Sequence, residues 1–387
     1  MTLQLFDRAP IRLDRVGTAD IWTRHAGPIW EAGDVGEIDS FYPVYRWGDF
    51  FSYAVLPLLA KKGRIDLNEA FFAGGFDGPG SRAGTRHTID REIERLGGPP
   101  LLTRGIRRRD EAVARIAAAM QADIADGVDA NPGCTHFVLC GGKDSLNILL
   151  ADWRVPVVAL SAAPNTPLVA EFIARNGLDI PLRELEDPRP ASLDREIAEN
   201  ACQNDLEHWK WTEHLRRIAE ENGHAAVFWK GQAADLFLTD YWKGFTNRRS
   251  RAYRLSRKLY KRASRLAPGL VDPVALPHVL GDMRRAIWDR VAIGQGAHLG
   301  FLRSICDCLF LSAYHGPRTA AVLYDLDFPS VTRRDLRPEV GAALLGREVW
   351  YPASNPAPPV STFRKGLRDR AHTLAALDAM GIATDGA

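Results

Sequence analysis

No stretch of these 387 residues approaches the roughly 20 consecutive apolar positions that a bilayer span requires, which argues against a membrane protein. Residues 1–15 mix Asp and Arg with short apolar pieces, unlike a secretory signal. Cysteine is scarce and odd in number, five in all, so a disulfide framework is excluded and a reducing, cytoplasmic setting is expected. Cys306-Asp307-Cys308 lacks the further ligands of a closed zinc site, and the ten histidines form no H-E-x-x-H pairing. Charge of one sign is also lacking. A net +2 gives no global attraction to nucleic acid or to a membrane surface. There is no Walker A loop, because Lys143 is followed by Asp144, and no internal repeat.

What is present is ordinary for a globular protein: 46% hydrophobic and 25% charged residues. The length suggests two domains, 1–105 and 106–387. Residues 1–105 are punctuated by Trp, Pro and Gly, with a helix expected near 50–61. The glycines at 74–84 follow no strand, which argues against a dinucleotide fingerprint.

The organising stretch is Thr135-His136-Phe137-Val138-Leu139-Cys140-Gly141-Gly142-Lys143-Asp144-Ser145. Phe137 to Leu139 reads as a buried strand, Gly141-Gly142 as a turn, and the Leu/Ile-rich segment behind Ser145 as a helix. Paired glycines let consecutive N–H groups face one concavity, and a helix start adds unpaired donors and partial positive charge. Together they predict an anion cradle, most naturally for phosphate. An acidic residue in it makes sense if a divalent metal accompanies the phosphates.

Around this stretch the pattern alternates. Residues 109–127 carry Val113, Ile116, Ala117 and Met120 at helical spacing; 155–162 reads as a strand, 166–176 as a helix, and 180–185 as a weaker strand. Residues 192–222 are helical in composition, and 224–229 form a further apolar strand. Alternating strands and helices predict an α/β fold: a doubly wound parallel sheet with ligands beyond the carboxyl ends of its strands. Residues 243–387 read mainly as helices broken by Pro-rich connections, a helical C-terminal region, while 1–105 would be a smaller α+β region.

The order Cys-Gly-Gly-Lys-Asp-Ser at 140–145 resembles the pyrophosphate loop, Ser-Gly-Gly-x-Asp-Ser, of the PP-loop (adenine nucleotide α-hydrolase-like) ATP pyrophosphatases. Directly after the strand at 224–229 comes Gly231-Gln232-Ala233-Ala234-Asp235-Leu236-Phe237-Leu238-Thr239-Asp240-Tyr241. It is similar to the Gly-Glu-Gly-Ala-Asp-Glu-Leu-Phe-Gly-Gly-Tyr segment of the asparagine synthetase family. Gly231, Ala234, Asp235 and Tyr241 keep that pattern, while Gln232, Ala233 and Leu236 depart from it. The resemblance spans about 107–370. Leu323-Tyr324-Asp325-Leu326-Asp327-Phe328-Pro329 resembles the family's Val-Glu-x-Arg-x-Pro-Phe segment, with Asp325 at the glutamate. Phe363-Arg364-Lys365-Gly366-Leu367-Arg368 is similar to the segment with a lysine before Leu-Arg, a role open to Arg364 or Lys365.

The resemblance implies an ATP- and Mg²⁺-dependent ligase that adenylates a small-molecule or peptide carboxylate, releases pyrophosphate, and passes the acyl group to an amine or ammonia. It implies nucleotide contacts at Cys140, Gly141, Gly142, Lys143, Asp144, Ser145, Ser161, Gly231 and Gln232, and metal ligation by Asp144 and Asp235. A catalytic cation would come from Arg364 or Lys365, and Asp325 is the candidate base. Cys140, standing where the loop serine would be, is a poorer donor than a hydroxyl. The family's glutaminase domain needs an N-terminal cysteine, which Met1-Thr2 does not supply, so 1–105 is expected to be non-catalytic and ammonia to come from a separate protein. His315 and Arg318 lie upstream of Asp325, within possible reach of the pyrophosphate. Residues 248–265 hold nine basic side chains interleaved with Tyr253, Leu255, Leu259 and Tyr260, a helix that would either face solvent or guide RNA or a carrier protein. Two rival readings stand beside the ligase: a tRNA-modifying pyrophosphatase using that basic helix, and a degenerate nucleotide-binding scaffold.

Overall fold

The computed structural model describes residues 7–9, 29–31, 39–40, 44–52, 55–69, 88–96, 105–185, 209–231, 234–240, 262, 309–352, 370–379 and 381–384. Arg364, Lys365, Gln232, Ala233, Tyr241, Cys306-Asp307-Cys308 and nearly all of the basic segment 248–265 lie outside them.

The centre is a five-stranded sheet of β1 (Thr135–Leu139), β2 (Val157–Ala162), β3 (Leu182–Leu185), β4 (Ala226–Lys230) and β5 (Leu309–Ser312). All neighbours run parallel, in the order β3-β2-β1-β4-β5. Strands buried on both faces read as continuous apolar runs, and here β1, β4 and β5 are buried almost throughout. Phe137, Phe228 and Phe310 occupy one register row, and their rings stack across three strands at 5.3 and 4.9 Å. Phe228 is fully buried in that row. Offset aromatic pairs of this kind are worth about 0.5–1.5 kcal/mol beyond the area they bury.

β5 adds a strand to the region 243–387, which reads in sequence as mainly helical. Four residues, LFLS, are too short a run to show a period, but they are buried throughout and pair in parallel with β4, which makes them an edge strand of the sheet. The region 50–61 likewise divides, into a strand at Phe50–Ser52 and a helix at Val55–Lys62. Expected helices are present as α1 (Arg109–Asp129), α2 (Lys143–Leu149), α3 (Thr166–Arg175) and α4 (Trp209–Glu221), while 192–208 lies outside the described residues; α5 (Ala234–Leu238) is a short helix the pattern did not indicate. After β5 come α6 (Pro317–Tyr324), α7 (Phe328–Val331) and α8 (Arg337–Leu345). Among the described residues no helix is long and apolar enough to cross a membrane.

A buried side-chain cluster ties β4 to β1. The Trp229 indole N–H donates to Nδ1 of His136 at 3.0 Å, and burial holds that imidazole down at about 4, hence neutral. Trp229 reaches this place because residue 127 is glycine: a Cβ there would lie 2.5 Å from the indole ring. Helix α6 is seated on α1 through Asp123, which accepts the N–H groups of Arg318 and Thr319 and the Thr319 hydroxyl. These bonds satisfy donors that a helix start leaves open. Arg318, read from sequence as a possible pyrophosphate contact, instead pairs with Asp123 at 3.2 Å and Asp126 at 2.5 Å.

The N-terminal region holds a four-stranded antiparallel sheet formed by Trp30–Glu31, Phe50–Ser52, Val44–Trp47 and Glu94–Leu96. Beside it, Ala383–Thr384 from the far end of the chain pairs in parallel with Arg64–Ile65.

Candidate functional site

The strand order reverses between β1 and β4, and a crevice opens beyond the carboxyl ends of an open sheet at such a reversal. Leu139 is level with Lys230, and Lys230 with Ser312, so the segments that follow all leave at one edge. They carry Gly141-Gly142-Lys143-Asp144-Ser145, Gly231 to Asp235, and Ala313-Tyr314-His315.

The first loop closes on itself. Ser145 Oγ donates to the Gly142 carbonyl at 3.0 Å and accepts the Gly141 N–H at 3.2 Å. Gly142 is fully extended, at φ −174° and ψ −176°, and Gly141 shows no left-handed angle. The glycine pair therefore does not supply a backbone forbidden to side chains, contrary to the sequence expectation. A Cβ on Gly141 would meet nothing within 4 Å, so this glycine leaves the crevice clear rather than shaping the turn.

The glycine required by sterics is in the second loop. A Cβ on Gly231 would lie 2.2 Å from the Ser145 backbone nitrogen and 2.4 Å from the Asp144 carbonyl carbon. The two loops thus pack backbone to backbone. Gly231→Ala is expected to lower stability by about 1–3 kcal/mol, the usual cost of overpacking, whereas Gly141→Ala should stay within about 0.5 kcal/mol. Denaturant midpoints test the contrast, and equal shifts would show that the close approach does not dictate residue 231.

This contact brings Asp144 towards Asp235. Burial pushes the Asp144 carboxyl up to about 6, with the charges of Asp235 and Asp335 adding to the rise. Arg337 opposes it: Nη1 donates to Asp144 Oδ1 at 2.5 Å. Arg337 is itself clamped to Asp335, Nε to Oδ1 at 2.9 Å and Nη2 to Oδ2 at 2.8 Å. Tyr314 holds the loop from the β5 side, its hydroxyl donating to the Asp144 carbonyl at 3.0 Å. Sequence reasoning missed Asp335, Arg337 and Tyr314, since no local motif marks them.

Other expected site residues are placed differently. Cys140 is fully buried, its thiol on the Val138 carbonyl at 3.4 Å and its N–H on the Leu160 carbonyl at 2.7 Å. Its side chain is core, so the concern about a weaker phosphate donor does not arise. Ser161 is also buried, its hydroxyl donating to the Cys140 carbonyl at 2.8 Å, and so braces the first loop from β2. Asp325 is 6% exposed, with Oδ1 accepting the Gly105 N–H at 3.0 Å and its carbonyl accepting the Ile106 N–H at 2.7 Å. That pins the incoming chain to the end of α6, a structural task rather than that of an available base. His315 is 2% exposed, and its burial holds the ring down at about 3, so it carries no charge to offer an anion at neutral pH.

No group of three or more His, Cys, Asp and Glu side chains is gathered among the described residues. Mg²⁺ does not demand one, since it is typically held by one or two carboxylates together with phosphate oxygens and water. Two carboxylates beside an open, glycine-lined edge, one of them destabilised as an anion by burial and by the other, are a donor set that fits such a cation. Against known proteins, no family model matches the chain, and a search of curated proteins finds no match.

Proposed function

We propose that the chain is an ATP-dependent, AMP-forming carbon–nitrogen ligase of the asparagine synthetase type, built on a PP-loop sheet. The observation that carries the reading is the backbone contact of Gly231 with Asp144-Ser145. It brings the two acidic loops of the resemblance together at the reversal of strand order.

In this reading Asp144 and Asp235 would hold Mg²⁺, which would supply positive charge to offset that of the ATP phosphates. The clear space at Gly141 admits the phosphate chain, and Lys143 stands at the same loop as a cation for it. Preorganised positive charge at the point where negative charge develops is the largest source of rate in such transfers. The substrate carboxylate oxygen attacks the α-phosphorus, the bond to the pyrophosphate oxygen breaks, and an acyl-adenylate remains. An amine, or ammonia from a separate protein, then attacks the acyl carbon and AMP departs. Buried Ser161 and Ser145 keep the loop fixed throughout, so no reorganisation is needed at the moment of reaction.

Incubation of the pure protein with ATP, Mg²⁺ and fractionated cell metabolites is expected to yield AMP and pyrophosphate in equal amounts, read by chromatography of the nucleotides. ADP as the sole product would end the assignment. Mass spectrometry of the same mixture identifies the amide.

A further inference from the structure

Arg337 carries more than its ion pair with Asp144. Three bonds fix the residue on Asp335: the two guanidinium bonds described above, and the Arg337 backbone N–H on Oδ1 at 3.0 Å. Its carbonyl accepts from Asn147 Nδ2 at 3.0 Å and from the Tyr351 hydroxyl at 3.4 Å. The turn that bears Asp335 is held in its own right. Arg109 donates from Nη1 to the carbonyls of Val331 and Arg334 and from Nη2 to that of Asp335, at 2.8, 3.1 and 2.9 Å. The remaining donors of Arg109 grip the Glu339 carboxylate at 2.5–2.9 Å. Helix α8 is seated on α2 without a gap, since a Cβ on Gly341 would meet the Tyr351 hydroxyl and Leu150. The result is a braced arm running from Arg109 through the 331–335 turn and Asp335 to Arg337.

A guanidinium held this way is not free to swing aside when a ligand arrives. It takes Oδ1 of Asp144 and leaves Oδ2 directed elsewhere. We infer that Arg337 is a positioning residue: it fixes the rotamer of Asp144 so that the second carboxylate oxygen is presented to the divalent cation of an incoming metal–nucleotide complex. The inference rests on the proposed nucleotide site and deepens it. Ligating carboxylates are themselves oriented by outer hydrogen bonds, and loss of such a partner costs about 10–100-fold in metal affinity. The neighbouring acids keep the site from becoming cationic, since Asp335 balances Arg337.

The test is Mn²⁺ binding in the presence of ATP, read from the electron paramagnetic resonance signal of free Mn²⁺ and independent of turnover. Wild type is expected to bind in an Asp144-dependent way. Arg337→Gln should weaken Mn²⁺ affinity by about 10–100-fold, and Asp335→Asn should weaken it in the same direction. Arg337→Lys should recover part of the loss, because one donor returns without the planar fork. The Asp144→Asn/Arg337→Gln pair should be no worse than Asp144→Asn alone, since Arg337 acts only through that carboxylate. Wild type without Mn²⁺ binding, or an Asp144→Asn protein that binds as wild type, overturns the nucleotide site itself. Asp144-dependent binding that Arg337→Gln leaves unchanged, or tightens, overturns only the positioning role. Tighter binding would make Arg337 a competitor of the metal. Should Arg337→Gln fail to fold, Asp335→Asn carries the same decision.

Discussion

Asp144→Asn and Asp235→Asn are each expected to reduce AMP formation by about a thousandfold or more, on the order of losing one member of a catalytic unit. The double variant should be little worse than either single one, because residues acting on one metal–phosphate complex are strongly non-additive. Neither change should unfold the protein. Burial, with Asp235 and Asp335 adding, raises the folded Asp144 carboxyl from 3.8 to about 6. A carboxyl raised on folding binds a proton more tightly in the native state. Its contribution to stability is therefore complete below about pH 4 and lost as pH rises through about 6. At pH 7 the native protein holds a strained anion, and Asp144→Asn should match or exceed wild type in denaturant midpoint while binding no metal–nucleotide. The stability gap should close as pH falls towards 4. An Asp235→Asn protein with wild-type turnover would remove the ligase reading, whatever its stability.

The largest stability effect is expected far from this edge, at Asp90. Its side chain is fully buried, as is that of Lys62 at 1% exposure, and the two meet at 2.8 Å. Asp90 also accepts the backbone N–H groups of Asp66 and Glu92, each at 2.8 Å. Asp90→Ala leaves those donors without their acceptor and strips Lys62 of its buried counter-charge, with only the more exposed Glu92 remaining at 2.8 Å. Removing one partner of a buried pair costs about 3–5 kcal/mol. The solvent-facing pair Arg46–Glu94 of the four-stranded N-terminal sheet gives the contrast: Glu94→Ala should cost about 1 kcal/mol or less. Equal midpoints for the two variants would show that Asp90 does not organise this region.

What the sequence disclosed follows from the range over which each signal acts. Strands β1, β2 and β4 were legible because apolar runs bounded by Gly, Asn or Pro need no distant partner to be recognised. That Asp144 and Asp235 come near one another was legible because each follows a strand end of one parallel sheet. Strand β5 was not, since four apolar residues in a helix-rich stretch carry no period of either kind. The run at 50–62 misled for a related reason: Phe50-Phe51-Ser52 and Val55 onward are both apolar, and only pairing with Val44–Trp47 divides strand from helix. Arg337 was invisible because its bond to Asp144 joins positions 193 apart, and an isolated arginine before a proline resembles any surface helix start. Cys140 shows the opposite error. Motif position suggested a ligand contact, whereas the alternation of a strand end turned the thiol into the core.

The parallel pairing of Ala383–Thr384 with Arg64–Ile65 bears on how this protein can be divided. Arg370 and Glu69 add an ion pair at 2.7 Å across the same junction, and the Ala383 N–H donates to the Gly63 carbonyl at 3.0 Å. A gene split at codon 105 would send that tail away with the wrong half, stripping Arg64–Ile65 of its neighbouring strand and exposing Ile65, which is otherwise fully buried. A circular permutant that carries residues 370–387 ahead of residue 1 through a linker keeps the tail and its partner strand in one contiguous piece. That arrangement, rather than a cut at the junction between the two regions, is the one that separates the chain along its own hydrogen bonds.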